Sequence, residues 1–264
     1  MVVLTTSFSA AAHEYWMLST PFSPAVNSPV SMTLHVGEYF VGNLVGITNT
    51  HVLSLRHYSL GADEDLSERV PVTALGELPL HFSTAGTHML AMDTYPNQIT
   101  LPAEKFHAYL HDEGLDTIIK ARQAAGVAET PGRERYRRNV KTLIRVGGRS
   151  DKTYAVRTHQ RLQLVPLVDP FKKRMNDALD FVILFDGTPL SNALVKAWYK
   201  HDDQTVLIRA SSDAAGKVRF TLPYAGEWML SVVHMIPATD SADVDWDSYW
   251  GNLTFKVPKN SPPK

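Results

Sequence analysis

Apolar residues along this chain follow the alternation of strands, then helical spacing, then alternation again, so the pattern predicts strands, a short helical stretch and more strands. Val30 to Val36 (VSMTLHV) sets Val30, Met32, Leu34 and Val36 against Ser31, Thr33 and His35. That is a strand with one buried face and His35 on the other. Val52 to Leu60 and Gly86 to Thr94 are expected to be further strands, punctuated by Gly61, Pro71, Pro79 and Gly86. From Leu101 the spacing turns helical. Pro102 suits a first turn, Phe106, Tyr109 and Leu110 share a face, and Gly114 supplies a C-terminal cap. A second helix is expected from Asp116 to Ala125, stopped by Gly126, and PGRERYRRNVKTLIRVG fits a helix or an extended run equally well.

Beyond the linker GGRSDKTY the alternation returns. RLQLVPLVDPF ends a strand, placed at Arg161 to Val165 and expected to close the N-terminal sheet. ALDFVILFDGTPLSNALVKAWY reads as two strands about an Asp186-Gly187 turn, and SSDAAGKVRFTLPYAGEWMLSVVHM repeats the pattern with turns at Ala215-Gly216 and Ala225-Gly226. The expected fold class is mainly β: two β-sandwich domains of Ig-like or transthyretin-like type with a helical insertion in the first. The first spans 13–175 with its insertion near 101–146, and the second spans 176–264. A residual signal segment is expected over 1–12.

Composition narrows the chemistry. The 264 residues are 44% hydrophobic and carry a net charge of -1, enough apolar material for two modest cores and no overall basic field for nucleic acid. Six cations between Arg133 and Arg145 (Arg133, Arg135, Arg137, Arg138, Lys141, Arg145) come without an aromatic platform, so a solvated or acid-paired face is the better reading of them. With no cysteine, any metal must be held by nitrogen and oxygen. No apolar run approaches the roughly 20 residues of a spanning helix, so an integral membrane protein is not expected.

Ala10-Ala11-Ala12 is the small-residue pattern that a signal peptidase accepts, after a short apolar stretch with no basic segment ahead of it. The expectation is that Met1 lies within a longer export signal, that cleavage follows Ala12, and that the mature periplasmic protein starts at His13. A free α-amine, titrating near 7.7, and an imidazole, titrating near 6.5, would then sit on one residue and chelate one ion. Tyr15 and Trp16 are expected to pack inward and hold that terminus. His234 ends an apolar strand just before an acidic loop containing Asp240, Asp243, Asp245 and Asp247. The metal ligands expected are therefore His13, His234, Asp245 and, more weakly, His57. His107 and His111 share a helix face without the glutamate of a protease motif and are expected in solvent. His51, His81, His88, His159 and His201 have no supporting context. No nucleophile elbow, phosphate loop or other catalytic motif is present.

HEYWM, VGEYFVG, LPAEKFHAYLHDEGLD, PGRERYRRNVKTLIRVGG, FDGTPLSNALVKA, AGEWMLSVVHM and DVDWDSYWGNLTFKV follow one another along nearly the whole chain. In this order they resemble a bacterial periplasmic family of unknown function described as the substrate-specific component of nickel uptake, the NikM-like proteins. FDGTPLSNALV and the segments after it also resemble transthyretin-like or carboxypeptidase-regulatory-like β-domains. One departure is HQRLQLVP, where the family often reads GLPLEIVP: Gln163 stands in place of an acid. The resemblance implies a periplasmic protein that binds or delivers nickel or cobalt beside a membrane metal transporter. Two other functions remain open: a copper-dependent redox enzyme built on His13 and His234, and a metal-free carbohydrate- or protein-binding double β-domain presenting Trp246, Tyr249 and Trp250.

Overall fold

Alternating stretches become strands throughout the computed structural model, which describes residues 13–201 and 204–259. The leader expected over Met1–Ala12, with its cleavage site, lies outside the described residues. In chain order the first half contains β1 (Glu14–Thr20), β2 (Pro29–Glu38), β3 (Val41–Val45), β4 (Val52–Ser59), β5 (Ala62–Asp65), β6 (Leu78–His81), β7 (Gly86–Thr94) and β8 (Asn97–Leu101). Helices α1 (Ala103–Asp112) and α2 (Asp116–Ala124) follow, then β9 (Gly132–Val146), β10 (Leu162–Pro166), β11 (Ala178–Phe185) and β12 (Thr188–Pro189). The chain closes with β13 (Leu194–His201), β14 (Gln204–Ser211), β15 (Lys217–Thr221), β16 (Gly226–Pro237) and β17 (Trp246–Val257).

These strands form one large sheet with a smaller one on each face. The central sheet has nine strands in the order β14-β13-β16-β17-β9-β7-β4-β5, with β8 beside the first part of β9. One flanking sheet joins β1, β2, β3 and β6, and the other joins β10, β11, β12 and β15. β7 shows how the layers close: Leu90 and Met92 enter the core under the first flanking sheet, while Met89 and Ala91 enter the core under the second. A strand covered on both faces has no polar side to show. The two halves of the chain meet at the parallel pair β9–β17, in register from Glu134↔Trp246 to Thr142↔Thr254.

The mainly β, sandwich-type class expected from the sequence is what the structure has. Two local expectations are corrected. The helical part stops at Ala124, and the basic segment expected as part of a helical insertion is the fifteen-residue strand β9. Its C-terminal part is buried on both faces, which hides the period of two. The strand at Arg161 to Val165 does not close the N-terminal sheet. As β10 it pairs with β11, and Leu162 and Leu164 join Phe181 and Ile183 in the core of the opposite face. The helix ends fall where glycine requires them: Gly114 has φ +68, and a Cβ there would come 2.6 Å from Leu194 Cβ. His107 and His111 are exposed on α1, as expected. Among the described residues no helix is long and apolar enough to cross a membrane.

Candidate functional site

The strand that follows His13 breaks the rule of alternation, because Glu14, Tyr15, Trp16 and Met17 are all buried. Each face has its own cover. Tyr15 and Met17 enter the core shared with β4, β7 and β9, and Trp16 packs with Phe40, Trp198 and Met229. Glu14 accepts a hydrogen bond from Ser231 Oγ at 2.6 Å, and Ser231 Oγ accepts one from Trp198 Nε1 at 2.9 Å. β1 pairs only with β2, so the carbonyls on its other edge need partners once buried. The central sheet supplies them from side chains. Arg138 Nη1 donates to the His13 carbonyl at 2.9 Å, Asn252 Nδ2 to that of Tyr15, and Thr254 Oγ1 to that of Met17 at 2.6 Å. Three carbonyls two residues apart are thus held by three donors from β9 and β17, which sets the strand's register and the position of His13.

His13 itself faces out. Its side chain is 47% exposed, and its Nε2 lies 3.9 Å from Glu38 Oε1. Arg138, bound to its carbonyl, also lines a groove of about 470 Å³ together with Tyr15, Tyr95, Tyr136, His51 and Asn97. The guanidinium lies 5.3 Å from the ring centre of Tyr15, 5.4 Å from that of Tyr136 and 5.2 Å from that of Trp250. Burial among these rings lowers the pKa of Arg138 and pushes the phenol of Tyr15 up to about 12.

Behind this strand lies a cluster of buried charge. Lys196 Nζ is 2.7 Å from Glu113 Oε1, with both side chains more than nine-tenths buried. The lysine also faces Glu14, so one cation serves two carboxylates that repel each other. Burial raises the pKa of both acids, that of Glu113 to about 7. A third buried acid, Glu134, accepts from Tyr109 Oη at 3.1 Å and from Ser248 Oγ, and burial raises it as well. None of the three acids carries a sequence signal, since a glutamate is usually exposed.

The four residues expected as metal ligands have separate surroundings. His57 belongs to a pair: its Nε2 is 2.8 Å from His88 Nδ1, its Nδ1 is 3.2 Å from Glu64 Oε2, and His88 Nε2 is 3.0 Å from the Thr84 carbonyl. The two rings are parallel within 7° at a centroid spacing of 5.0 Å, the span of two ring radii plus the nitrogen gap. They therefore lie edge to edge along the bond rather than face to face. Acceptors stand at both ends of this line, the Glu64 carboxylate and the Thr84 carbonyl, and burial lowers the pKa of His88. His88 carried no signal because its partner is 31 residues away. His234 packs its ring 4.4 Å from Phe185 on the other face of the central sheet, and burial lowers its pKa.

Asp245 forms a two-bonded pair with Arg133, at 2.6 and 3.1 Å. It is one rung of a ladder across β9 and β17: Arg135 binds Asp247 at 2.6 Å and Asp240 at 2.6 Å, and Arg137 reaches Asp247 at 3.3 Å. The six cations include an acid-paired face, as read from the sequence. The acidic loop is thereby committed to arginines instead of to His234. Trp246, Tyr249 and Trp250 are 8%, 1% and 6% exposed, which corrects the expectation of a sugar-stacking surface: they are a core lid. Gln163 accepts from Thr158 N at 2.8 Å and donates to the carbonyls of Gln160 and Thr158, and a carboxylate could not do the donating. Among the described residues no group of three or more His, Asp or Glu side chains converges on a point that could hold a metal ion.

Among curated proteins none matches the chain in sequence. Among solved structures it is similar to the native conformation of the alpha-2-macroglobulin of E. coli, at 13% identity and a TM-score of 0.27 over 90% of this chain and 14% of that one. It is also similar to the Salmonella alpha-2-macroglobulin reacted with methylamine, at 8% identity and a TM-score of 0.24 over 92% of this chain and 15% of that one. The chain thus spans about one seventh of the length of either. Residues 10–236 match the family described as "Domain of unknown function (DUF4198)", and the chain belongs to that family.

Proposed function

We propose that the chain is a periplasmic protein that binds and delivers a divalent transition metal, nickel or cobalt, through His13 as the amino terminus of the mature protein. The observation that supports this reading is the way His13 is held. Four buried residues follow it, its carbonyl is tied to Arg138, and its imidazole stands in solvent. Glu38 lies on the Nε2 side of the ring. Nδ1, on the side of the ring away from Glu38, is the nitrogen that closes a chelate with the α-amine of the same residue. Amine and imidazole nitrogens suit nickel, cobalt and copper. With only two nitrogens supplied, the other positions stay open to water or to an accepting protein, which fits delivery to a membrane transporter better than storage.

The test compares three forms by calorimetry with Ni²⁺: one beginning at His13, one retaining Ala10 to Ala12, and His13→Ala. Only the first should bind tightly, because the extension turns the amine into an amide while keeping the imidazole. Its affinity should weaken as pH falls through the range in which the amine and imidazole take up protons. Equal affinity of the extended and processed forms would remove the chelate.

A further inference from the structure

Three arginines of β9 are matched to acids, Arg133 to Asp245, Arg135 to Asp247 and Asp240, and Arg137 to Asp247, while Arg145 donates to the Gly148 carbonyl. Arg138 has no such match. Among the described residues no carboxylate lies within ion-pair distance of it, and its one side-chain hydrogen bond goes to the His13 carbonyl. The carboxylate whose charge it feels, Glu14, already accepts from Ser231 and shares Lys196. A guanidinium carries five N–H donors, so most of those on Arg138 are unspent. Its guanidinium carbon lies 5.2 to 5.4 Å from the ring centres of Tyr15, Tyr136 and Trp250, and these rings cannot use up its N–H donors as a carboxylate would.

Arg138 lines the groove of about 470 Å³, a size that takes a small organic molecule. The walls are flat and aromatic, from Tyr15, Tyr95 and Tyr136. Around them the phenols of Tyr15 and Tyr136, the His51 ring and the Asn97 amide have no hydrogen-bond partner among the described residues. One cation with free donors, slab-like aromatic walls and several uncommitted polar tips in one concavity select a particular ligand chemistry. We propose that the groove binds a small planar organic acid, its carboxylate on the edge of Arg138 and its flat body between the tyrosine rings. The carboxylate takes the N–H groups pairwise, as such anions do with arginine, and the neutral phenol of Tyr15 can donate as well. A free inorganic anion would satisfy the guanidinium but leave the aromatic walls unused, and a neutral planar molecule would use the walls and leave the charge bare. The site needs no metal and does not rest on the His13 reading.

The purified chain is titrated, metal-free, with benzoate and indole-3-carboxylate, with their carboxamides, and with sulfate, followed by calorimetry and by backbone amide shifts. Both acids should bind saturably and move the resonances of Tyr95, Asn97 and Tyr136, with each carboxamide at least about tenfold weaker, the loss expected when a charge-assisted bond becomes a neutral one. Sulfate should be weaker than either acid. Arg138→Gln should abolish the preference for acid over amide. Because that change also frees the His13 carbonyl, Tyr136→Leu serves as a milder variant, and it should weaken both acids severalfold while sparing sulfate. His13→Ala should leave acid binding intact, which separates this site from the metal reading. Carboxamides as good as the acids, sulfate equal to them, or groove resonances unmoved by either acid would each overturn the proposal.

Discussion

Lys196→Met tests the buried charge behind β1. Among the described residues the lysine is the one cation within ion-pair distance of Glu113, at 2.7 Å, and it also offsets Glu14. Glu113 titrates from an ordinary 4.5 up to about 7, chiefly because burial penalises its charge, so the folded state keeps a proton that the unfolded chain has released. The sign follows: the stability this group adds is fully present below pH 4.5 and is lost as pH rises toward 7. Removing Lys196 takes away the attraction that holds the pKa down, so in the variant Glu113 stays protonated to higher pH. Below about pH 6 the acid is neutral in both proteins, and the substitution should cost no more than about 1 to 2 kcal/mol, since a methionine fills similar space. Above pH 7 the wild type ionises Glu113 against its lysine and the variant cannot. The gap should then widen by about 1.4 kcal/mol per pH unit until the variant's own pKa is passed or the cost approaches the roughly 3 to 5 kcal/mol of a broken buried pair. Urea denaturation of both proteins at pH 5.5, 7 and 8.5 measures the difference directly, and adding Glu113→Gln to the variant should flatten its pH dependence. A loss of stability equal at pH 5.5 and 8.5 would refute the argument, because it would mean that the lysine contributes packing and no charge compensation.

Two further substitutions probe how β1 and α1 are seated. Thr254→Val removes the donor to the Met17 carbonyl while conserving volume, so it should lower stability by about 1 to 3 kcal/mol in denaturant melts and speed amide exchange in β1 ahead of β2. A full-strength β1 in the exchange experiment would show that the edge carbonyls do not need their side-chain caps. Gly132→Ala puts a Cβ 2.2 Å from Phe106 ring carbons, in a contact no rotation relieves, and should cost about 1 to 3 kcal/mol or more in thermal melts while displacing α1. An unchanged melting temperature would mean that the helix floats free of β9.

Features governed by neighbours in the chain were legible from the residues alone. Val30, Met32 and Leu34 alternate because one face of β2 is covered, and Gly114 and Gly126 end their helices because the positive φ of a cap favours a residue without a Cβ. The acid-paired reading of the basic segment held for Arg133, Arg135 and Arg137, while Lys141 is buried in the sheet and Arg138 and Arg145 have no carboxylate within ion-pair distance among the described residues. Even the inward packing of Tyr15 and Trp16 followed from their size. What escaped was settled by partners far away in sequence. β9 looked neither helical nor extended because cores on both faces erase alternation, and its partner β17 lies 112 residues on in the parallel register. β10 has no local mark to say which sheet it joins, so only its pairing with β11 assigns it. Glu14 beside His13 reads as a surface acid until Ser231 and Lys196 arrive from β16 and β13. The same holds for His57 and His88, and for Arg138 with its three rings. Local sequence determined the strands, turns and caps, because backbone conformation depends on neighbouring residues. Which buried charges face one another, and where His13 stands, were decided by tertiary structure, because a side chain's electrostatic partners are set by distance in space.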